Sequence, residues 1–123
     1  MNLNGEKQEV FDLGIELYEF YAAEELKNTD PFFAAARMKL YKSVLALAIN
    51  HDDLNEEEMT RIESLEDYEK ILSTLPNNHL ARRYYQGFQN VTPIIKSGVM
   101  ADFRVSMQHF WSLIEKVFEK DSD

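Results

Sequence analysis

Cysteine is absent from this chain. Disulfides, thiolate metal sites and cysteine nucleophiles are thereby excluded, and burial of apolar surface must hold the fold instead. The absence suits a reducing interior. Glycine occurs only at positions 5, 14, 87 and 98, so no glycine-rich phosphate loop can be assembled. The zinc-binding His-Glu-x-x-His pattern is missing, as is a Gly-x-Ser-x-Gly elbow. The longest uninterrupted apolar run is 44–49, far short of a membrane span, and Met1–Lys7 contains no stretch of signal-peptide length. The expected location is the cytoplasm, with no membrane partner. Basic residues are the minority, 13 against 22 acidic ones, for a net charge of −9. Nucleic-acid binding without sequence preference needs clustered positive charge, so the balance argues against it. Sustained alternation at period two is also lacking, and no strand is expected.

What is present is apolar and aromatic. Of 123 residues, 45% are hydrophobic and 12% aromatic, enough for one helical domain over 1–123. Charge is segregated along the chain. Residues 1–30 carry eight acids and two bases, and 51–70 carry nine acids and two bases. Residues 31–50 carry three bases and no acid, and 71–104 four bases and one acid. Basic segments alternate with acidic ones, as when neighbouring elements complement each other.

Helical periodicity runs throughout. Val10, Leu13, Leu17 and Phe20, widened by Phe11, Ile15, Tyr18 and Tyr21, predict a helix from about Glu6 to Lys27. Asp30 as cap and Pro31 at the first position start a second helix, about Pro31 to Asn50. Its apolar residues cover most of the circumference, which predicts the central helix. Asn55 with Glu58, stapled by Leu54 and Met59, signals a short helix, and Ser64–Asp67 repeats the capping pattern. Two short helices, or one kinked near Ser64, are expected there. Asn77-Asn78 offers a cap for another through about Phe88, and Thr92-Pro93 starts a turn that Ser97-Gly98 should end. Met100, Phe103, Met107, Phe110, Ile114 and Val117 then predict a last helix from about Val99 to Lys120. The fold class is all-α: a compact antiparallel bundle of about five to six helices, three of them long.

Several clusters could carry chemistry. His51-Asp52-Asp53 with Glu56, Glu57 and Glu58 is rich in oxygen donors but matches no calcium-loop spacing, and helix capping accounts for it; no metal or other cofactor is assigned. Arg82-Arg83-Tyr84-Tyr85 sets two guanidiniums beside two aromatic rings, residue types favoured where proteins grip partners. The same four residues also suit a bundle helix whose tyrosines pack inward while its arginines pair with acidic helices. A helix-turn-helix reader within 55–88 is disfavoured by the acidic stretch 56–69. Acids spread over a surface can mimic nucleic-acid phosphate, but a solubilising surface explains the excess more simply.

Arg104-Val105-Ser106-Met107-Gln108-His109, an arginine followed after four residues by a histidine, resembles the signature of the HEPN superfamily. The run Phe32–Tyr41 is loosely similar to that superfamily's helix of small and aromatic residues. The resemblance implies an all-helical, metal-independent ribonuclease with its site at a homodimer groove formed by the last helices. Arg104 would stabilise charge at phosphorus, and His109 would move a proton. At about 100° per residue the two stand roughly 140° apart, flanking the apolar seam, a placement ordinary boundary residues also take. The leading expectation is a bundle that binds another protein through Arg82, Arg83, Tyr84 and Tyr85, in the manner of an inhibitor, immunity factor, antitoxin, chaperone or adaptor. The HEPN-like ribonuclease is the alternative.

Overall fold

The computed structural model describes residues 5–50, 57–58 and 61–122. Among the described residues six helices follow in order: α1 (Gly5–Lys27), α2 (Pro31–Asn50), α3 (Leu65–Leu72), α4 (Leu80–Gln89), α5 (Pro93–Ala101) and α6 (Phe103–Ser122). No strand occurs among the described residues. The all-α bundle read from periodicity is therefore the observed architecture.

The second helix is the hub. Every residue from Ser43 to Ile49 is buried, as an element apolar around its circumference requires. It packs against α1, α4, α5 and α6. Cross-helix bonds give the directions. Lys7 Nζ donates to Asn50 Oδ1 at 3.3 Å, and the Tyr41 hydroxyl donates to the Gly14 carbonyl at 2.8 Å, so α1 and α2 run antiparallel. Tyr18 meets Phe110 while Lys116 sits 4.3 Å from the Tyr21 ring, so α1 and α6 run the same way, both opposed to α2. The core gathers around stacked rings, with Tyr18 on Tyr41 at 4.5 Å between centroids and Phe110 edge-on to Tyr41 at 5.3 Å. Phe103, Met107, Phe110, Ile114 and Val117 are all buried, so the three-and-four seam of α6 is spent within the chain.

One glycine makes the α1–α2 contact close. A Cβ at Gly14 would lie 2.5 Å from Leu45 Cδ2, and Leu45 is fully buried. Two buried hydroxyls in the core satisfy each other. Ser43 Oγ donates to the Ala81 carbonyl at 2.7 Å, which leaves its lone pairs for the Tyr68 hydroxyl, also at 2.7 Å.

Helix starts follow capping chemistry. Asp30 Oδ1 accepts from the Phe32 N–H at 2.8 Å. Ser64 Oγ accepts from the Asp67 N–H at 3.2 Å, and Asp67 Oδ2 accepts from the Glu63 N–H at 3.1 Å. Residues 62–64 are non-helical, so α3 stands apart from the helical turn at Glu57 and Glu58. The cap at Asn55 and the staple of Leu54 with Met59 lie outside the described residues.

Two boundaries differ from the sequence expectation. The cap of α4 is His79, whose Nδ1 accepts from the Ala81 N–H at 3.1 Å; the His79 N–H closes a turn onto the Pro76 carbonyl at 3.0 Å, which brings the ring rather than Asn77 or Asn78 to the helix start. Ser97-Gly98 does not end a helix. The segment stays helical through Ala101, and the break falls at Asp102. Gly98 is there for proximity: a Cβ would approach Phe33 Cε2 to 2.9 Å, so the missing methyl admits the α2 phenyl ring against α5.

Candidate functional site

The four residues singled out on α4 separate in space. Adjacent helical positions point about 100° apart, so an Arg-Arg-Tyr-Tyr run cannot share one face. Arg82 and Tyr85 turn toward α3, where they line a cleft of about 440 Å³ with Glu69, Ser73, Asn77 and Gln86. Both side chains already make hydrogen bonds. Arg82 Nη1 donates to the Leu75 carbonyl at 2.8 Å, and the Tyr85 hydroxyl donates to Glu69 Oε1 at 2.9 Å. Burial, reinforced by the Glu69 carboxylate, holds the Tyr85 phenol well above its ordinary pKa and keeps it neutral. Arg83 and Tyr84 flank Leu80 on another side of the helix. The Tyr84 ring stacks on Phe11 of α1 at 5.6 Å, and Lys42 Nζ lies 5.9 Å from its centroid. Arg83 alone of the four is exposed. The tyrosines pack inward as the structural reading expected. The arginines do not pair with acidic helices: among the described residues no carboxylate reaches Arg82 or Arg83, and a backbone carbonyl holds the former.

A different surface is concave and apolar. The start of α2 and the α4–α5 junction enclose an open trough of about 510 Å³, lined chiefly by Phe32, Ala35, Val91, Ile94 and Ile95, with Lys39 at its side. Phe32 is 76% exposed and Ile94 is 84% exposed, large apolar side chains left in water on both walls. Two such residues alone are ordinary; facing each other across a concavity, they resemble the rim of a binding groove. Asp30 and Thr92 complete the two ends where α2 and α5 begin.

No family model, curated protein or solved structure matches this chain.

The two residues of the HEPN-like pattern lie on α6, Arg104 exposed and His109 half-buried. Neither side chain forms a hydrogen bond or ion pair among the described residues. On the same helix Phe103, Ser106, Met107 and Phe110 are buried. Of the oxygen-rich cluster of the sequence, His51, Asp52, Asp53 and Glu56 lie outside the described residues, and no group of three metal-ligating side chains occurs among the described ones. No helix among the described residues is long and apolar enough to cross a membrane.

The trough was missed in the sequence although a signal for it exists. Phe32-Phe33, Ile94-Ile95 and Phe20-Tyr21 are doublets of large apolar residues within helices. A step of about 100° sends the two members of a doublet to different faces, so one must look outward unless the helix is buried all round. In the first two doublets the second member is half-buried and the first faces solvent.

Proposed function

We propose that this chain is a non-catalytic, protein-binding helical bundle of the inhibitor, immunity-factor, antitoxin, chaperone or adaptor type. The observation that carries this reading is the trough between α2 and the α4–α5 junction, with Phe32 and Ile94 exposed on its two walls. Exposed apolar side chains opposed across a concavity gain from covering by another protein, because burial removes their surface from water. The cleft beside Arg82 and Tyr85 supports the reading indirectly. There the Tyr85 hydroxyl is held by Glu69 and Arg82 Nη1 by the Leu75 carbonyl, bonds that tie α4 to α3 and to the turn after it.

Affinity capture with the intact chain, set beside its Ile94→Asp and Arg82→Glu/Arg83→Glu variants, tests the reading. A protein retained by the wild type and lost with Ile94→Asp is the expected result. Loss with the arginine pair as well would extend the contact along α4, whereas unchanged capture would confine it to the trough. Identical retention by wild type and Ile94→Asp would remove the trough as a binding surface.

A further inference from the structure

We infer that the cleft between α3 and α4 binds a small zwitterion of the free α-amino-acid type, its carboxylate taken by Arg82 and its ammonium by Glu69. This goes beyond the protein-binding reading and is independent of it, since no residue lining this cleft also lines the trough.

The cleft holds about 440 Å³, within the size range of small-molecule sites. Among the described residues of its lining, Arg82 and Glu69 alone are charged, one of each sign. No ion pair joins them to each other or to any described residue. Each is anchored by a neutral group instead. The Leu75 carbonyl holds Arg82 Nη1 at 2.8 Å, and the Tyr85 hydroxyl donates to Glu69 Oε1 at 2.9 Å.

The other half of each charged group is left over. Arg82 Nε and Nη2 donate to no described acceptor, and Glu69 Oε2 accepts from no described donor. Nε and Nη2 form one edge of the guanidinium, with parallel N–H groups that a carboxylate accepts in pairs. Arg82 and Tyr85 stand one turn apart on α4, about 5–6 Å between Cβ atoms. Glu69 is bonded to the second of them, so both charges open on one small cavity. Beside them the side-chain amides of Asn77, Gln86 and Gln89 make no bond among the described residues, which leaves donors and acceptors for the rest of a polar ligand.

This pairing selects against simple ions. An anion that reaches Arg82 is repelled by Glu69, and a cation at Glu69 is repelled by Arg82. A molecule with both charges on a short stem gains charge-assisted hydrogen bonds at each end.

Nuclear magnetic resonance titration of the intact, isotope-labelled chain with each free L-amino acid in turn tests the inference. Expected are saturable shifts confined to α3, α4 and the turn between them for one or more amino acids. Acetylating the amine or amidating the carboxylate of that ligand should each weaken binding ~tenfold or more, as should Glu69→Gln and Arg82→Gln. Glu69→Gln keeps an oxygen for the Tyr85 hydroxyl, and Arg83→Gln, an equal loss of charge on exposed α4 surface, should leave affinity unchanged. Where Arg82→Gln lowers helical dichroism, the blocked ligands decide the matter on the unaltered chain. No saturable shift with any amino acid would overturn the inference. So would blocked ligands that bind as tightly as free ones, shifts centred on the trough, or equal shifts from acetate or methylammonium alone.

Discussion

Two glycines on helices make opposite demands. At Gly14 a methyl group would run into buried Leu45, while at Gly87 it would meet only the stem of Lys39 at ordinary contact distance. Overpacking costs about 1–3 kcal/mol. Replacing a mid-helix glycine by alanine returns about 1 kcal/mol of helix propensity. Gly14→Ala is therefore expected to destabilise by about 1 kcal/mol net, and Gly87→Ala to stabilise by up to about 1 kcal/mol. Urea unfolding followed by Trp111 fluorescence measures both, since that residue is the chain's sole tryptophan and is buried in the core. Equal shifts of the same sign would contradict the contact at Leu45. Residue-scale detail of this kind was illegible in the sequence. Gly14 reads as one weak helix position among many, and nothing local announces that Leu45 and the Tyr41 hydroxyl both converge on it from 27 or more residues away.

At the level of elements, legibility followed the chemistry that acts over a few residues. Asp30-Pro31 and Ser64–Asp67 were readable because a cap is decided within one turn, and both appear with their predicted side-chain bonds. Ser64→Ala should cost about 1 kcal/mol, and Ser64→Asp should keep most of the cap. Thermal melts of the two variants measure this, and an unchanged midpoint for Ser64→Ala would show that α3 is held by packing alone. The α5–α6 boundary was misplaced because Ser97-Gly98 carries an ordinary helix-ending signature. The structure uses that glycine against Phe33, a contact made across 65 positions of sequence that local patterning does not report. The α4 arginines and tyrosines were visible as residue types, but their partners were not: Leu75 in the turn before α4 holds Arg82, Glu69 of α3 holds Tyr85, and Phe11 of α1 stacks on Tyr84.

Across the whole molecule, three buried phenols tie stability to pH. Burial raises the pKa of Tyr41, Tyr68 and Tyr85 above the ordinary value, with Tyr18 adding to the effect at Tyr41 and Glu69 at Tyr85. Below pH of about 10 all three are neutral in both folded and unfolded chains, and their contribution is fully present. Above it the unfolded chain ionises while the fold resists, so stability falls as pH rises toward the folded values. Alkaline titration should show tyrosinate absorbance from these three rising together with loss of helical dichroism. Their ionisation in a chain that stays fully helical would contradict the burial. The helical class itself was the most legible property, because periodicity summed over long segments outweighs any single misplaced boundary.

The close fit of Phe33 against Gly98 has a bearing on the trough beside it. That contact governs how near α5 can come to the first turn of α2, and with it the aperture between Phe32 and Ile94. A single methyl at position 98 would act as a spacer, widening the mouth while changing none of the atoms that line it. On the protein-binding reading proposed above, Gly98→Ala would retune what the trough accepts from behind its wall.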